Sequence, residues 1–178
     1  LILFTTDNGS PKSYLTDVVE SEGKIKRLRR PVVSVRNGQQ VPGGKGELND
    51  RGTRVPLIAN WPGVTPSRSV NGDLVDFTDF LPTCAELAGA KLPPGQQADG
   101  QSFAPQLRGS PGSPRTFVYC ERAKSYWVRN QRWKLYNDGR LFNMDADPYE
   151  MKPIRSDDDT PDSAVARNKL QKPLDALR

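Results

Sequence analysis

Leu1-Ile2-Leu3-Phe4-Thr5-Thr6-Asp7-Asn8-Gly9 is the stretch on which the reading of this chain turns. A continuous apolar run that ends in a polar, glycine-closed turn is the pattern of a buried strand carrying Asp7 and Asn8 at its end. Functional groups of open α/β sheets collect at such strand ends. Working outward, Val55-Pro56-Leu57-Ile58-Ala59-Asn60-Trp61 reads as a second buried strand, opened near Pro56 and closed by Pro62-Gly63. Residues 32–35 fit a short strand, and 37–52 a loop rich in glycine and polar side chains. Residues 10–30 are mixed and end in Lys24-Ile25-Lys26-Arg27-Leu28-Arg29-Arg30, expected as a solvated flank, with an anion-collecting rim as the alternative.

Further along, Leu74, Phe77, Leu81, Ala85 and Ala88 recur at spacings of three and four, which predicts a helix within 73–88. Gly89 supplies its stop, and Pro82 requires a kink or a helix start inside it. Residues 91–114 are dense in Pro, Gly, Gln and Ser around one apolar island at Phe103 and Leu107, the composition of a crossing loop or linker. The period then changes. Short aromatic or β-branched runs at 116–121, 125–129, 133–137 and 140–144 predict an antiparallel meander, with Tyr119, Trp127, Trp133, Tyr136 and Phe142 in its core. Asp157-Asp158-Asp159 reads as a solvated turn and helix cap, and Val165, Leu170, Leu174 and Leu177 as a helical stripe lying against the sheet.

With 178 residues the chain is bounded to one domain, or one domain with a small annex. Its 16 Pro and 15 Gly exceed the usual combined share of roughly 12%, so turns are abundant. No apolar run approaches the ~18–20 residues that span a bilayer, and the first residues do not form a secretory signal. Because Leu1 stands where Met would start a protein, the true start is expected upstream. A net charge of +5 is too small for an obligate nucleic-acid binder and suits an anionic substrate. Cys84 and Cys120 are expected as two buried thiols, not a disulfide or a metal pair. The chain has no His, which removes histidine bases, Ser-His-Asp arrangements and histidine zinc sites from what it does by itself.

Two short motifs bear chemistry. Asp7 and Asn8 are adjacent oxygen donors of the kind that Ca²⁺ and Mg²⁺ prefer, although Asp-Asn-Gly alone is also a common turn. Gly43-Gly44-Lys45-Gly46 puts a cation in backbone permissive enough to approach an oxyanion closely. It is not a phosphate-binding P-loop, because Gly38 is one residue too distant and Gly46 follows the lysine in place of Ser or Thr. As a bare motif it would be an ordinary loop; its place after Asp7-Asn8 and before Arg54-Val55-Pro56 makes it informative.

Taken in order, Thr5-Thr6-Asp7-Asn8-Gly9, Gly44-Lys45-Gly46, Gly52-Thr53-Arg54-Val55-Pro56-Leu57-Ile58 and Trp61-Pro62-Gly63 resemble the second half of a type I sulfatase of the alkaline-phosphatase superfamily. The resemblance continues through Val75-Asp76-Phe77-Thr78-Asp79-Phe80-Leu81-Pro82-Thr83, Leu87-Ala88-Gly89, Asp99-Gly100-Gln101-Ser102-Phe103, Trp133-Lys134-Leu135-Tyr136, Leu141-Phe142-Asn143-Met144 and Asp147-Pro148-Tyr149-Glu150. It implies an α/β fold: the C-terminal part of an alkaline-phosphatase-like mixed sheet domain over 1–114, then a small antiparallel β-sheet subdomain with a C-terminal helix over 115–178. It implies that Asp7 and Asn8 complete a divalent-cation site, usually calcium, and that Lys45 contacts the sulfate group. Arg54 is a candidate substrate contact whose alternative is structural pairing. Asp50-Arg51 departs from the Glu-Gly that many members carry at this point.

The family nucleophile is a formylglycine made from a Cys/Ser-x-Pro-x-Arg motif, which no Cys or Ser here matches. The resemblance therefore implies the C-terminal portion of a sulfuric ester hydrolase, with the formylglycine, the paired acidic metal ligands and the catalytic histidines in an upstream remainder. The fragment alone is expected to be inactive, and Leu1 to Phe4 are expected inside a largely parallel sheet. The implied substrate is a sulfated small molecule or glycan, not a nucleic acid, and the implied compartment is periplasmic or secreted. Two alternatives stand beside this: a phosphoester or phosphonate hydrolase of the same superfamily, and a non-catalytic module that binds sulfated glycans through residues 24–30 and Lys45.

Overall fold

The computed structural model describes residues 1–36, 38–91 and 98–177. Strand β1 (Ile2–Thr5) pairs antiparallel with β6 (Leu57–Asn60), with Ile2 opposite Asn60 and Thr5 opposite Leu57. Pro56 lies just before β6, where its missing N–H costs no ladder bond. The further strands of the largely parallel sheet expected around Leu1 to Phe4 would come from outside these residues; the described partner of β1 is β6. The ladder is antiparallel, and Ile2 and Phe4 on one face are 67% and 57% exposed while Leu3 on the other is half-buried. Side chains alternate across a strand, and the described packing covers one side of this ribbon only.

Residues 10–31, read as a flank, fold instead as a hairpin of β2 (Ser13–Ser21) and β3 (Lys24–Pro31). Its two-residue turn, Glu22-Gly23, has φ of 54° and 69°, the left-handed pair that matches the strand twist. The hairpin was hidden because apolar and charged residues occupy both faces, leaving no period of two to detect. A further hairpin joins β4 (Val33–Arg36) to β5 (Gln39–Pro42), placing a strand in the stretch read as loop. Asn37, the first residue of that stretch, lies outside the described residues, as do 92–97 of the expected linker.

The helix expected over 73–88 is shorter. A 3₁₀ turn (Phe77–Asp79) with an Asp76/Asp79 capping box leads into α2 (Phe80–Leu87). Pro82 sits in the first turn of α2, where no intrahelical N–H bond is lost, so it starts the helix and does not kink it. Gly89, at φ 65°, ends it, with the Ala90 amide donating to the Ala85 carbonyl. Asp79 is buried and accepts from the Asp76 and Gln101 amides and from Arg115 Nε at 2.7, 2.8 and 2.9 Å. Thr83, fully buried, donates to the Asp79 carbonyl and accepts from the Phe103 amide. Gly100 is required there, because a Cβ would lie 1.9 Å from the Thr78 carbonyl oxygen. These bonds tie α2 to the segment that enters α3 (Ala104–Leu107).

The meander is as the sequence predicts: β7 (Val118–Arg122), β8 (Ser125–Arg129), β9 (Trp133–Tyr136) and β10 (Leu141–Asn143) form one antiparallel sheet in that order. Helix α4 (Pro161–Ala176) packs on it through Ala166, Leu170 and Leu174 against Val128, Trp133, Leu135 and Leu141. The opposite face of the sheet gathers Val118, Trp127, Tyr136, Phe142 and Met144, with Leu48 and Leu74 laid over them. The cap of α4 is Thr160, not the Asp triplet; Asp159 instead pairs with Arg167, whose hydrogen bonds hold its carboxyl below the usual range. Both cysteines are free, but Cys84 is exposed and Cys120 half-buried, which corrects the expectation of two buried thiols.

Leu170→Ala should lower the unfolding free energy of the protein by about 2–5 kcal/mol, because it opens a cavity between helix and sheet. Val165→Ala on the exposed side of α4 should change it by less than about 0.5 kcal/mol. Equal losses in urea titrations of the two variants would contradict the placement of α4.

Candidate functional site

Three segments meet where β1 ends. The Gly9 amide donates to the Gly52 carbonyl at 2.9 Å, and the Gly44 and Lys45 amides both donate to the Ser10 carbonyl at 3.0 and 2.9 Å. The approach is close enough to exclude any side chain. A Cβ on Gly9 would lie 1.8 Å from the Arg51 carbonyl oxygen, one on Gly44 2.4 Å from Arg51 Cβ, and one on Gly52 2.1 Å from the Glu47 carbonyl oxygen. The glycines of the Asp-Asn-Gly, Gly-Gly-Lys-Gly and Arg-Gly-Thr-Arg motifs are thus contacts of one knot. It brings the strand end bearing Asp7 and Asn8 onto the loop bearing Lys45 and the short helix α1 (Asp50–Thr53) that precedes Arg54.

Asp7 is exposed and Asn8 half-buried, and Asn8 Nδ2 donates to Asp7 Oδ1 at 2.6 Å. No ion pair occupies Asp7 among the described residues. The side chain of Lys45 is exposed. Asp7, Asn8 and Arg54 line an open cleft of about 1570 Å³; Gly46 belongs to that lining, whereas its neighbour Lys45 does not. Arg54 is 57% exposed and stands 3.8 Å from Asp50 Oδ2, long for an ion pair, so its guanidinium has open donors as well as a structural partner. Among the described residues no three His, Cys, Asp or Glu side chains gather as a metal cluster. Asp7 and Asn8 fit a hard cation in donor type and exposure, and they supply two ligands of the six to eight that calcium takes.

Behind the knot lies a buried charge network that no motif announced. Lys134, on the sheet face opposite α4, is fully buried. Its ammonium donates to the Leu48 carbonyl, Asp50 Oδ1 and Glu150 Oε1 at 3.1, 3.2 and 2.8 Å, which uses all three protons. The Trp127 ring lies 4.2 Å from the same nitrogen. Arg129 Nη1 reaches both Asp50 oxygens at 2.9 and 2.8 Å, and Trp127 Nε1 donates to the Leu48 carbonyl. Glu150, at a left-handed φ of 58°, also accepts from Tyr136 and from the Asp50 amide. Arg122 on β7 donates to the Gly46 carbonyl.

Burial pushes the Asp50 carboxyl up, but Lys134 and Arg129 more than offset it and hold the carboxyl below its usual range. Desolvation, reinforced by Glu150, raises the Tyr136 phenol far above its ordinary value, so it donates at any physiological pH. Its partners are separated by 14 to 100 residues, so local spacing holds no signal for the pairing. The motifs around Asp50, Lys134, Tyr136 and Glu150 were each visible in the sequence, but nothing there joined them.

Residues 45–178 match the family described as N-sulphoglucosamine sulphohydrolase, C-terminal. The chain is 36% identical over 101 residues to an ulvan-active sulfatase of Formosa agariphila, covering 51% of this chain and 20% of that protein. Among solved structures it is similar to a 2-O GAG sulfatase, with a TM-score of 0.59 and 26% identity, over 79% of this chain and 32% of that one. It is also similar to a protein solved in complex with its substrate D-glucosamine-2-N,6-O-disulfate, at a TM-score of 0.56 and 25% identity, over 73% and 29% of the two chains. The chain spans about a fifth of the length of the curated relatives it matches.

Lys134→Met keeps volume but removes the cation that Asp50 and Glu150 share, leaving Glu150 without a charge partner, and should destabilise the protein by about 3–5 kcal/mol, read from urea titration. Asp50→Asn tests the sign of the electrostatics. A carboxyl held below its ordinary value of about 3.9 stabilises the fold above that pH and stops doing so as pH falls through its folded value. The Asp50→Asn protein should therefore be less stable than the parent at pH 7, with the gap narrowing below about pH 4. A gap that widens on acidification would contradict the network.

Proposed function

The chain belongs to the sulfatase family, as a C-terminal portion of such a protein, and from that membership we propose that the whole protein hydrolyses sulfate esters. The observation that carries this reading is the glycine knot, which joins the Asp7-Asn8 strand end to the Lys45 loop through the Ser10 and Gly52 carbonyls. In this reading Lys45 places its ammonium against a sulfate oxygen and neutralises the charge that grows there as the S–O bond breaks. Arg54 steadies the same group with the donors that Asp50 leaves open. Asp7 and Asn8 hold a divalent cation, most plausibly Ca²⁺ for two hard oxygen donors, in company with ligands from outside these residues. When bound, the cation polarises the ester and stabilises negative oxygen.

The nucleophile is assigned to a formylglycine in a Cys/Ser-x-Pro-x-Arg segment that these 178 residues do not contain. The substrate is a sulfated small molecule or glycan, in line with the disulfated glucosamine found with one structural relative. No helix among the described residues is long and apolar enough to cross a membrane. From the family membership we place the protein in a periplasmic or secreted compartment.

Lys45→Ala in the full-length protein should lower kcat/KM for an aryl sulfate about 100-fold or more, with folding stability unchanged because the side chain is exposed. Removal of divalent cation by chelation should abolish turnover, and Asp7→Ala should raise the Ca²⁺ concentration needed to restore it. Faster release of phosphate than of sulfate from matched aryl esters would move the activity to phosphoester hydrolysis.

A further inference from the structure

We propose that the β2–β3 hairpin is a docking arm for the sulfated chain of a polymeric glycan, feeding the site that carries Lys45. This rests on the sulfatase reading for its catalytic part only. Strand β3 holds Lys24, Lys26, Arg27, Arg29 and Arg30, five of the chain's 26 basic residues, and every one of them is exposed. Among the described residues none of the five makes an ion pair or a side-chain hydrogen bond, whereas nearby Lys12 is paired with Glu47. No acid of the same hairpin, Asp17, Glu20 or Glu22, forms an ion pair with them among the described residues. Asp17 instead accepts from the Val18 amide at 2.8 Å.

The register disposes these cations along a line. Lys24, Lys26 and Arg30 share one face of β3, with Tyr14 directly opposite Arg30, while Arg27 and Arg29 occupy the other. Same-face neighbours two residues apart are about 6.7 Å from each other, and the stretch from 24 to 30 spans roughly 20 Å. That is a ladder of charge for an extended polyanion and far longer than one sulfate ester needs. Among the described residues β3 pairs only with β2, so its other edge is open there, and side chains of this length from both faces reach it. A second copy of the chain is a poor occupant of this edge, since two β3 strands side by side would set cation against cation.

The root of the arm is the knot itself. The Val32 amide donates to the Lys12 carbonyl at 3.0 Å, which closes the two ends of the hairpin on each other, and the Gly43 amide donates to the Val32 carbonyl at 2.8 Å, which bonds that end to the residue beside Gly44 and Lys45. A chain held by β3 is therefore tethered next to the catalytic lysine, which raises the local concentration of its remaining esters. Small aryl sulfates would gain nothing from the arm.

The test compares the full-length protein with the variant Lys24→Gln, Lys26→Gln, Arg27→Gln, Arg29→Gln, Arg30→Gln. These are exposed positions outside the Lys45 site. Elution from a heparin column in a salt gradient reads binding without turnover, and kcat/KM is measured on a sulfated heparin oligosaccharide and on an aryl sulfate. The expected result is elution at clearly lower salt, with kcat/KM on the oligosaccharide down tenfold or more, mainly through KM, and kcat/KM on the aryl sulfate within twofold. Unchanged elution overturns the docking arm, as does displacement by single-stranded DNA at lower concentration than by the oligosaccharide. Equal losses on both substrates overturn its role in feeding the site. If neither protein releases sulfate while the variant still elutes early, the hydrolase reading fails and the docking surface stands.

Discussion

The buried ammonium of Lys134 is the constraint around which the rest is arranged. An isolated cation out of water is too costly to keep, so each of its protons must find an acceptor. The acceptors come from three places in the chain: the Leu48 carbonyl, Asp50 and Glu150. Two of these lie in the loop that runs from Lys45 to Arg54. The C-terminal sheet thereby fixes the Lys45 loop from behind, and the left-handed backbone at Glu150 persists because three donors hold its carboxylate.

From the front the same loop is fixed by absence of side chains. Gly9, Gly44 and Gly52 let backbone meet backbone at distances where a Cβ would collide. The two restraints are complementary: hydrogen bonds through the knot set where Asp7 and Asn8 stand relative to the loop, and ion pairs through β8 and β9 set the loop relative to the sheet. The Lys45–Arg54 loop and the C-terminal sheet are consequently joined through a charged interface at Asp50, Arg129 and Lys134. Arg122 adds a further tie at the Gly46 carbonyl, one residue from Lys45.

The hairpin of β2 and β3 stands apart from this logic. Its side chains have little of the packing that shapes the other elements, and Tyr14, Leu15, Val18 and Ile25 remain about half exposed or more. A two-stranded ribbon with wet faces is marginal in water, so the bonds that root it at Lys12, Val32 and Gly43 matter more to its placement than its own ladder.

How much could be seen beforehand follows from the range of the interactions. The four-stranded meander, the existence of helix α4 and the stop at Gly89 were legible, because alternation and a glycine after a helix are local patterns, whereas of the stripe expected on α4 only Leu170 and Leu174 face the sheet and Val165 and Leu177 are exposed. The motifs also located Asp7, Asn8, Lys45 and Arg54 and pointed to the family, since each is a run of neighbours in sequence. The first hairpin was missed because its apolar residues favour neither face, and the antiparallel pairing of β1 with β6 was not foreseen because an apolar run does not state its partner. The Asp50, Arg129, Lys134 and Glu150 network was beyond reach for a stronger reason. A lysine between two aromatic residues on a strand looks like the solvent side of an ordinary alternation, and only when the loop of Leu48 folds over that face does it become the inside. Sequence alone determined which residue types and short-range elements the chain has; the tertiary structure decided which charges are buried and paired, because that depends on segments brought together across as many as 100 residues of chain.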